Sequence, residues 1–331
     1  MNPTLWQLNP ALSIEFHKRE RTLRIGLMSP NCYEISDRSE ALLRLISYLK
    51  NEGCVEKEKL LNQIALLFDH EPGDIFHDLL ALKLLIPVID LDSRYARHEL
   101  YYGFSGAPTN IQKLLAERSV FLIGVGGIGS ACAMLLGAAG IGELILADQD
   151  ELELSNLTRA TLFELSDLGK PKVEAAAKRL ALRNPKVRVR TISYSLNAET
   201  LALFEGAAEA ADMMVLSGDS GAEVHRLTYF LSKKYNKPLL NAGYVEHCGV
   251  IGPLTVGANA KRESELADES TDTVQVNPGY KAASFGPLNS LVASIAANEV
   301  IRYFAGQDLQ TLNRRLVIDS YQYTQKWESF A

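Results

Sequence analysis

The apolar positions of this chain follow two rhythms. Over residues 12–16, 22–26 and 32–35 they alternate loosely with polar ones. This predicts three short strands, the first pair joined by the charged turn Lys18-Arg19-Glu20-Arg21. Leu42, Leu43, Leu45, Ile46 and Leu49 then recur near helical spacing and stop at Gly53, with Ser36 or Asp37 as the cap. Further helices are expected over 57–68 and 74–84, followed by the apolar run 85–89. A small sheet followed by helices predicts a winged-helix-like α+β module over residues 1–90. It has no clustered basic face, which argues against nucleic-acid recognition.

From residue 120 the rhythm changes. Short apolar runs at 120–124, 143–147, 211–217, 238–244, 249–254 and 315–319, with an alternating run at 187–192, are separated by helical stretches at 130–139, 173–183, 224–235 and 289–304. Apolar strands alternating with helices predict an α/β domain with a mostly parallel sheet over residues 91–331. Residues 90–110 form a linker that contains a short helix around Ser93-Arg94-Tyr95-Ala96-Arg97. The polar, acidic stretch at 255–284 is too long to be a plain connection, and loops of that length are functional or disordered.

Composition narrows the class. With 331 residues the chain has room for one large or two unequal domains, and its net charge of −6 permits a basic peptide partner better than a polyanion. The start Met1-Asn2-Pro3-Thr4 does not resemble a signal peptide, and no apolar run reaches membrane-spanning length. Cys32, Cys54, Cys132 and Cys248 are scattered without a C-x-x-C pair, which fits a reducing cytoplasm. No zinc is expected.

The chemistry concentrates between residues 120 and 172. A strand leads into Gly124-Val125-Gly126-Gly127-Ile128-Gly129 and a small-residue helix. The next strand ends in Asp148-Gln149-Asp150. Such a turn brings backbone close to a phosphate, and the helix N-terminus supplies donors and positive dipole. An acid at the second strand end can accept ribose hydroxyls. Asp148 sits directly there; Asp150 is a second candidate, or a capping or solvated residue. Then come Asn156, Arg159 and Lys172, which suit a triphosphate better than the diphosphate of a nicotinamide cofactor.

Taken in order, the glycine loop, D-x-D, S-N-L-x-R and G-x-P-K resemble the adenylylating family of ubiquitin-activating enzymes and the bacterial thiamine and molybdopterin activators. The resemblance implies a Rossmann-like adenylation domain, ATP and Mg²⁺ as cofactors, and catalytic roles for Arg97, Arg159, Lys172 and Asp219, with Asp219 the magnesium ligand. It implies that Arg97 reaches the ATP site of the other subunit of a homodimer. The added N-terminal module, the Asn241-Ala242-Gly243-Tyr244-Val245 strand and the Phe285-Gly286-Pro287-Leu288-Asn289 turn resemble the branch that matures ribosomally made precursor peptides of the microcin C and pantocin A kinds. In that branch the module is a peptide clamp for the leader. The expected function is adenylylation of a precursor-peptide carboxylate leading to cyclisation. The alternatives are a sulfur-carrier-protein adenylyltransferase and a non-catalytic, activator-like binding subunit. Cys248 invites comparison with the thioester cysteine of ubiquitin activators, but an apolar strand position favours simple burial.

Overall fold

The computed structural model describes residues 4–28, 32–105, 107–108, 110–217, 221–257 and 283–329. They divide into two compact units, Met1–Ile111 and Gln112–Ala331. Asp219 and most of the 255–284 stretch lie outside the described residues.

The first unit contains, in order, β1 (Leu5–Leu8), β2 (Ile14–His17), β3 (Thr22–Ile25), β4 (Tyr33–Ser36), α1 (Ala41–Glu52), β5 (Val55–Glu56), α2 (Lys57–Leu67), α3 (Pro72–Ala81), β6 (Leu85–Pro87) and α4 (Ala96–Ser105). The expected strands form the antiparallel meander β2-β3-β4. A second three-stranded sheet, β5-β1-β6, was not expected from the sequence. The N-cap position of α1 is Glu40 rather than Ser36 or Asp37, but the Asp37 carboxylate three residues upstream still accepts the first-turn N–H groups of Leu42 at 3.2 Å and Leu43 at 2.9 Å. The helical-period residues Leu45, Leu49, Leu60 and Ile64 meet Leu23 and Ile25 of β3 in one core. Trp6 of β1 seals it edge-on against Phe76, ring centroids 5.1 Å apart.

The second unit runs α5 (Ile111–Ala116), β7 (Ser119–Ile123), α6 (Gly127–Ala139), β8 (Glu143–Ala147), α7 (Lys172–Arg183), β9 (Arg188–Ile192), α8 (Leu201–Ala210), β10 (Met213–Leu216), α9 (Ala222–Lys234), β11 (Leu239–Val245), β12 (Cys248–Thr255), α10 (Gly286–Phe304), β13 (Arg314–Asp319) and β14 (Thr324–Ser329). The strand order is β14-β13-β12-β11-β10-β7-β8-β9. From β9 to β11 every neighbouring pair is parallel; from β11 to β14 every pair is antiparallel. The parallel strands β7, β8 and β10 are almost wholly buried, as helix-covered strands must be. Phe121, Phe204 and Met214 lie at the centre of the core on the α8 side. After β9 the chain returns to the other side of β7, so the order reverses between β7 and β10. A crevice opens at the carboxyl ends of strands at such a reversal.

Candidate active site

The glycine turn is built by its neighbours as much as by its own sequence. Gly124 follows β7 with φ of +93°, a conformation that L side chains rarely adopt. Its N–H donates to Ala147 O at 2.8 Å, and its carbonyl accepts the Ser217 hydroxyl at 2.9 Å. A Cβ on Gly129 would stand 1.9 Å from Gly124 O and 2.5 Å from Ser217 Oγ. A Cβ on Gly127 would stand 2.2 Å from Asn289 Nδ2 and 3.3 Å from Arg159 Cγ. At Gly126, the N-cap of α6, a Cβ would meet no atom of the described residues within 4 Å. The turn is thus packed tight on its flanks and open at its apex, where the first-turn N–H groups of α6 have no helical acceptor.

Asp148 ties the turn to the next strand. One carboxylate oxygen accepts Val125 N–H at 2.7 Å, and the other accepts Asp150 N–H at 2.9 Å. Lys172 is buried at the start of α7 with its ammonium 2.7 Å from Asp150 and 3.9 Å from Asp148. Asn156 shapes the connection between them. Its side-chain oxygen accepts Glu153 N–H at 3.1 Å and caps the short turn Leu154–Thr158. Arg159 ends that turn, donating to Ser155 O at 2.8 Å while its stem lies against Gly127.

Gly124, Gly126, Gly127, Gly129, Asp148, Asp150, Asn156, Arg159 and Lys172 therefore gather at one end of the sheet. Arg97 is exposed on α4 in the first unit. Asp219, two residues after Ser217 in sequence, lies outside the described residues. Apical N–H groups, two cations and a strand-end carboxylate are a donor set that fits a nucleoside triphosphate.

Three supporting residues were given no role in the site from the sequence. Asn289, 1% exposed, sits over Gly127, and its side-chain oxygen has no hydrogen-bond partner among the described residues. Its sequence signal is its place in the Phe285-Gly286-Pro287-Leu288-Asn289 turn at the foot of α10. Asp167, 1% exposed, anchors the segment that delivers Lys172 through Arg179 at 2.7 Å and Lys170 at 3.2 Å. Burial pushes the Asp167 carboxyl up, but Arg179, the Glu164 N–H and Lys170 together hold it below the usual carboxylate range. Ser217 braces Gly124 across the reversal point.

Cys248, half-buried at the start of β12, is the reverse of an activated nucleophile. Burial and the neighbouring Asp319 and Glu246 carboxylates push its thiol up.

This strand order, with a glycine turn at its reversal point and Arg159 and Lys172 beside it, is that of a nucleotide-binding type of α/β domain. The chain belongs to the ThiF family, whose model matches residues 95–331. It is similar to the sulfur carrier protein ThiS adenylyltransferase of Escherichia coli (strain K12), 34% identical over 224 residues that cover 66% of this chain and 84% of that protein. The molybdopterin-synthase adenylyltransferase of the same organism is 31% identical over 219 residues, 64% of this chain and 82% of that protein. Among solved structures, E. coli MccB with succinimide matches with a TM-score of 0.79 at 26% identity, over 98% of this chain and 97% of that chain. MccB has also been solved with ATP, and with AMPCPP together with MccA. The protein is an ATP-dependent adenylyltransferase of the ThiF type. No helix among the described residues is long and apolar enough to cross a membrane.

Proposed function

We propose that the enzyme uses ATP·Mg²⁺ to activate a carboxylate of a ribosomally made precursor peptide. A nucleophile of the same peptide then attacks the acyl carbon of the acyl-adenylate, the acyl–phosphate C–O bond breaks and AMP leaves, giving a cyclised, pantocin A-like product. The observation that carries this reading is the N-terminal unit. The family match begins only at residue 95, whereas the likeness to MccB, a microcin C7 biosynthetic enzyme solved with N-formylated MccA, extends over nearly the whole chain. The edges of the small sheets β2-β3-β4 and β5-β1-β6 are suited to hold a leader peptide by strand addition. The scattered cysteines fit work in a reducing cytoplasm.

In this reading Asp148 accepts the ribose hydroxyls. The N-terminus of α6 faces a phosphate, and Arg159, Lys172 and Asn156 hold the β- and γ-phosphates. A peptide carboxylate oxygen attacks the α-phosphorus, the bond to the bridging α–β oxygen breaks, and pyrophosphate leaves. Charge bookkeeping supports two further parts. Asp148 and Asp150 already face Lys172, so the cluster with Arg159 is formally neutral and a triphosphate needs more positive charge. Asp219 would hold Mg²⁺, which would supply part of it. Arg97 from the second subunit of a homodimer supplies the rest.

ATP–pyrophosphate exchange measured with candidate precursor peptides and with a sulfur-carrier protein tests the substrate class. Exchange stimulated by a peptide is expected. Exchange only with the sulfur carrier would establish the alternative that the 34% identity to the ThiS adenylyltransferase favours. No exchange with either acceptor would overturn both substrate readings.

Mixing variants tests the composite site. Arg97→Ala and Asp219→Asn should each be inactive alone. After subunit exchange they should recover part of the activity, because one site of the heterodimer then holds both residues. No recovery despite confirmed exchange would place Arg97 outside the partner's site.

A further inference from the structure

The turn from β11 to β12 carries a side-chain cluster that the adenylylation reading does not use. Donor atoms of His247, Cys248 and Asp319 all lie within 4.8 Å of one another. Sheet register brings them together from distant parts of the chain. Val245 pairs with Cys248 across the hairpin, and Cys248 pairs with Asp319 across β12 and β13. The last β10–β11 pair is Leu216 with Asn241, so β11 continues four residues, about 13 Å, beyond the end of β10. The cluster therefore stands at the same end of the sheet as the glycine turn, displaced sideways along it.

The three side chains are held in place. The Asp319 carboxylate is oriented by the N–H groups of Tyr321 at 2.8 Å and Gln322 at 3.0 Å, both to the same oxygen. Its other oxygen faces His247 Nε2 at 3.6 Å. The His247 ring stacks on Tyr321, centroids 4.7 Å apart and planes 5° from parallel. At 3.6 Å the imidazole and carboxylate are too far apart for a hydrogen bond. Two ligands around a tetrahedral zinc ion, with bonds of about 2.0–2.3 Å, stand at about that spacing.

We propose that His247, Cys248 and Asp319 form a site for a borderline divalent transition metal, with zinc as its test ion. Imidazole, thiolate and carboxylate are the donor types such an ion takes. The thiol proton leaves to solvent as the sulfur–metal bond forms, and water fills a fourth position. Three protein ligands with one open position differ from the closed four-cysteine sites that a C-x-x-C search detects. The lack of C-x-x-C pairs, from which no zinc is expected, bears on those closed sites and not on this one. The fixed Asp319 and the stacked His247 provide the orientation that metal ligands need.

The test uses the full-length chain, stripped with chelator and titrated with zinc by calorimetry and with cobalt by optical spectroscopy. One zinc per chain is expected, with a thiolate-to-cobalt charge-transfer band. Cys248→Ser should abolish the band and weaken zinc binding on the order of 100-fold, at least what loss of a ligand's supporting partner costs. His247→Ala should weaken zinc similarly, and Cys54→Ser should change neither signal. ATP affinity should be the same in Cys248→Ser as in the parent, which separates this test from the nucleotide reading. Zinc binding no stronger than in Cys248→Ser, or a cobalt–thiolate band that persists in that variant, would overturn the proposal and leave the cluster as an ion pair of His247 and Asp319 at the end of the sheet.

Discussion

Gly129→Ala should unfold the nucleotide turn and abolish measurable ATP binding. The added Cβ would meet the Gly124 carbonyl oxygen at 1.9 Å and the Ser217 hydroxyl at 2.5 Å. The carbonyl belongs to a turn pinned by Ala147 and Asp148, so it has nowhere to retreat. Overpacking of this kind costs about 3 kcal/mol. In a unit of this size that lowers the melting temperature on the order of 10 °C. Gly126→Ala is the informative companion. Its Cβ meets no atom of the described residues within 4 Å, so the fold should tolerate it, and ATP affinity should fall because the methyl occupies the apex where a phosphate approaches. Calorimetry with ATP and a thermal melt on both variants separate the two effects. Normal ATP affinity in a folded Gly126→Ala protein would remove the apex from the binding site.

Lys172→Met should remain folded and lose about 10²–10³-fold in exchange rate, the usual effect of removing one preorganised charge from developing phosphate charge. The competing reading makes Lys172 a structural counter-ion, since its ammonium is already 2.7 Å from Asp150. Asp150→Asn tells them apart. If the lysine serves the phosphates, that variant keeps a buried lysine beside Asp148 and loses far less activity than Lys172→Met. If the pair is only structural, the two variants should resemble each other in both stability and rate. Lys172→Arg should not restore full activity, because a planar guanidinium does not fit the space of a buried ammonium. An exchange rate within tenfold of the parent for Lys172→Met would exclude Lys172 from the reaction.

Local pattern alone placed the elements whose stability is local. The run leading to Gly124, the helix from Lys172 to Arg183 and the helical-period leucines of α1 all carry their own periodicity. The glycine turn and the strand-end Asp148 were legible for the same reason: tight turns and strand ends need particular residue types. Elements that exist only through distant partners were not legible. β1 reads Leu5-Trp6-Gln7-Leu8, too short to declare itself, and is a strand because Val55–Glu56 and Leu85–Pro87 flank it. β14 reads Thr324-Gln325-Lys326-Trp327-Glu328-Ser329, polar enough to pass for a loop. It is ordered by pairing with Arg314–Asp319. The same division holds at the sites. Sequence order named Arg159 and Lys172, but only the folded chain brings Asn289 over Gly127 and hangs the Lys172 segment on Asp167 and Arg179. It also puts Cys248 opposite Asp319, because strand register sets which distant residues become neighbours and no local pattern encodes it.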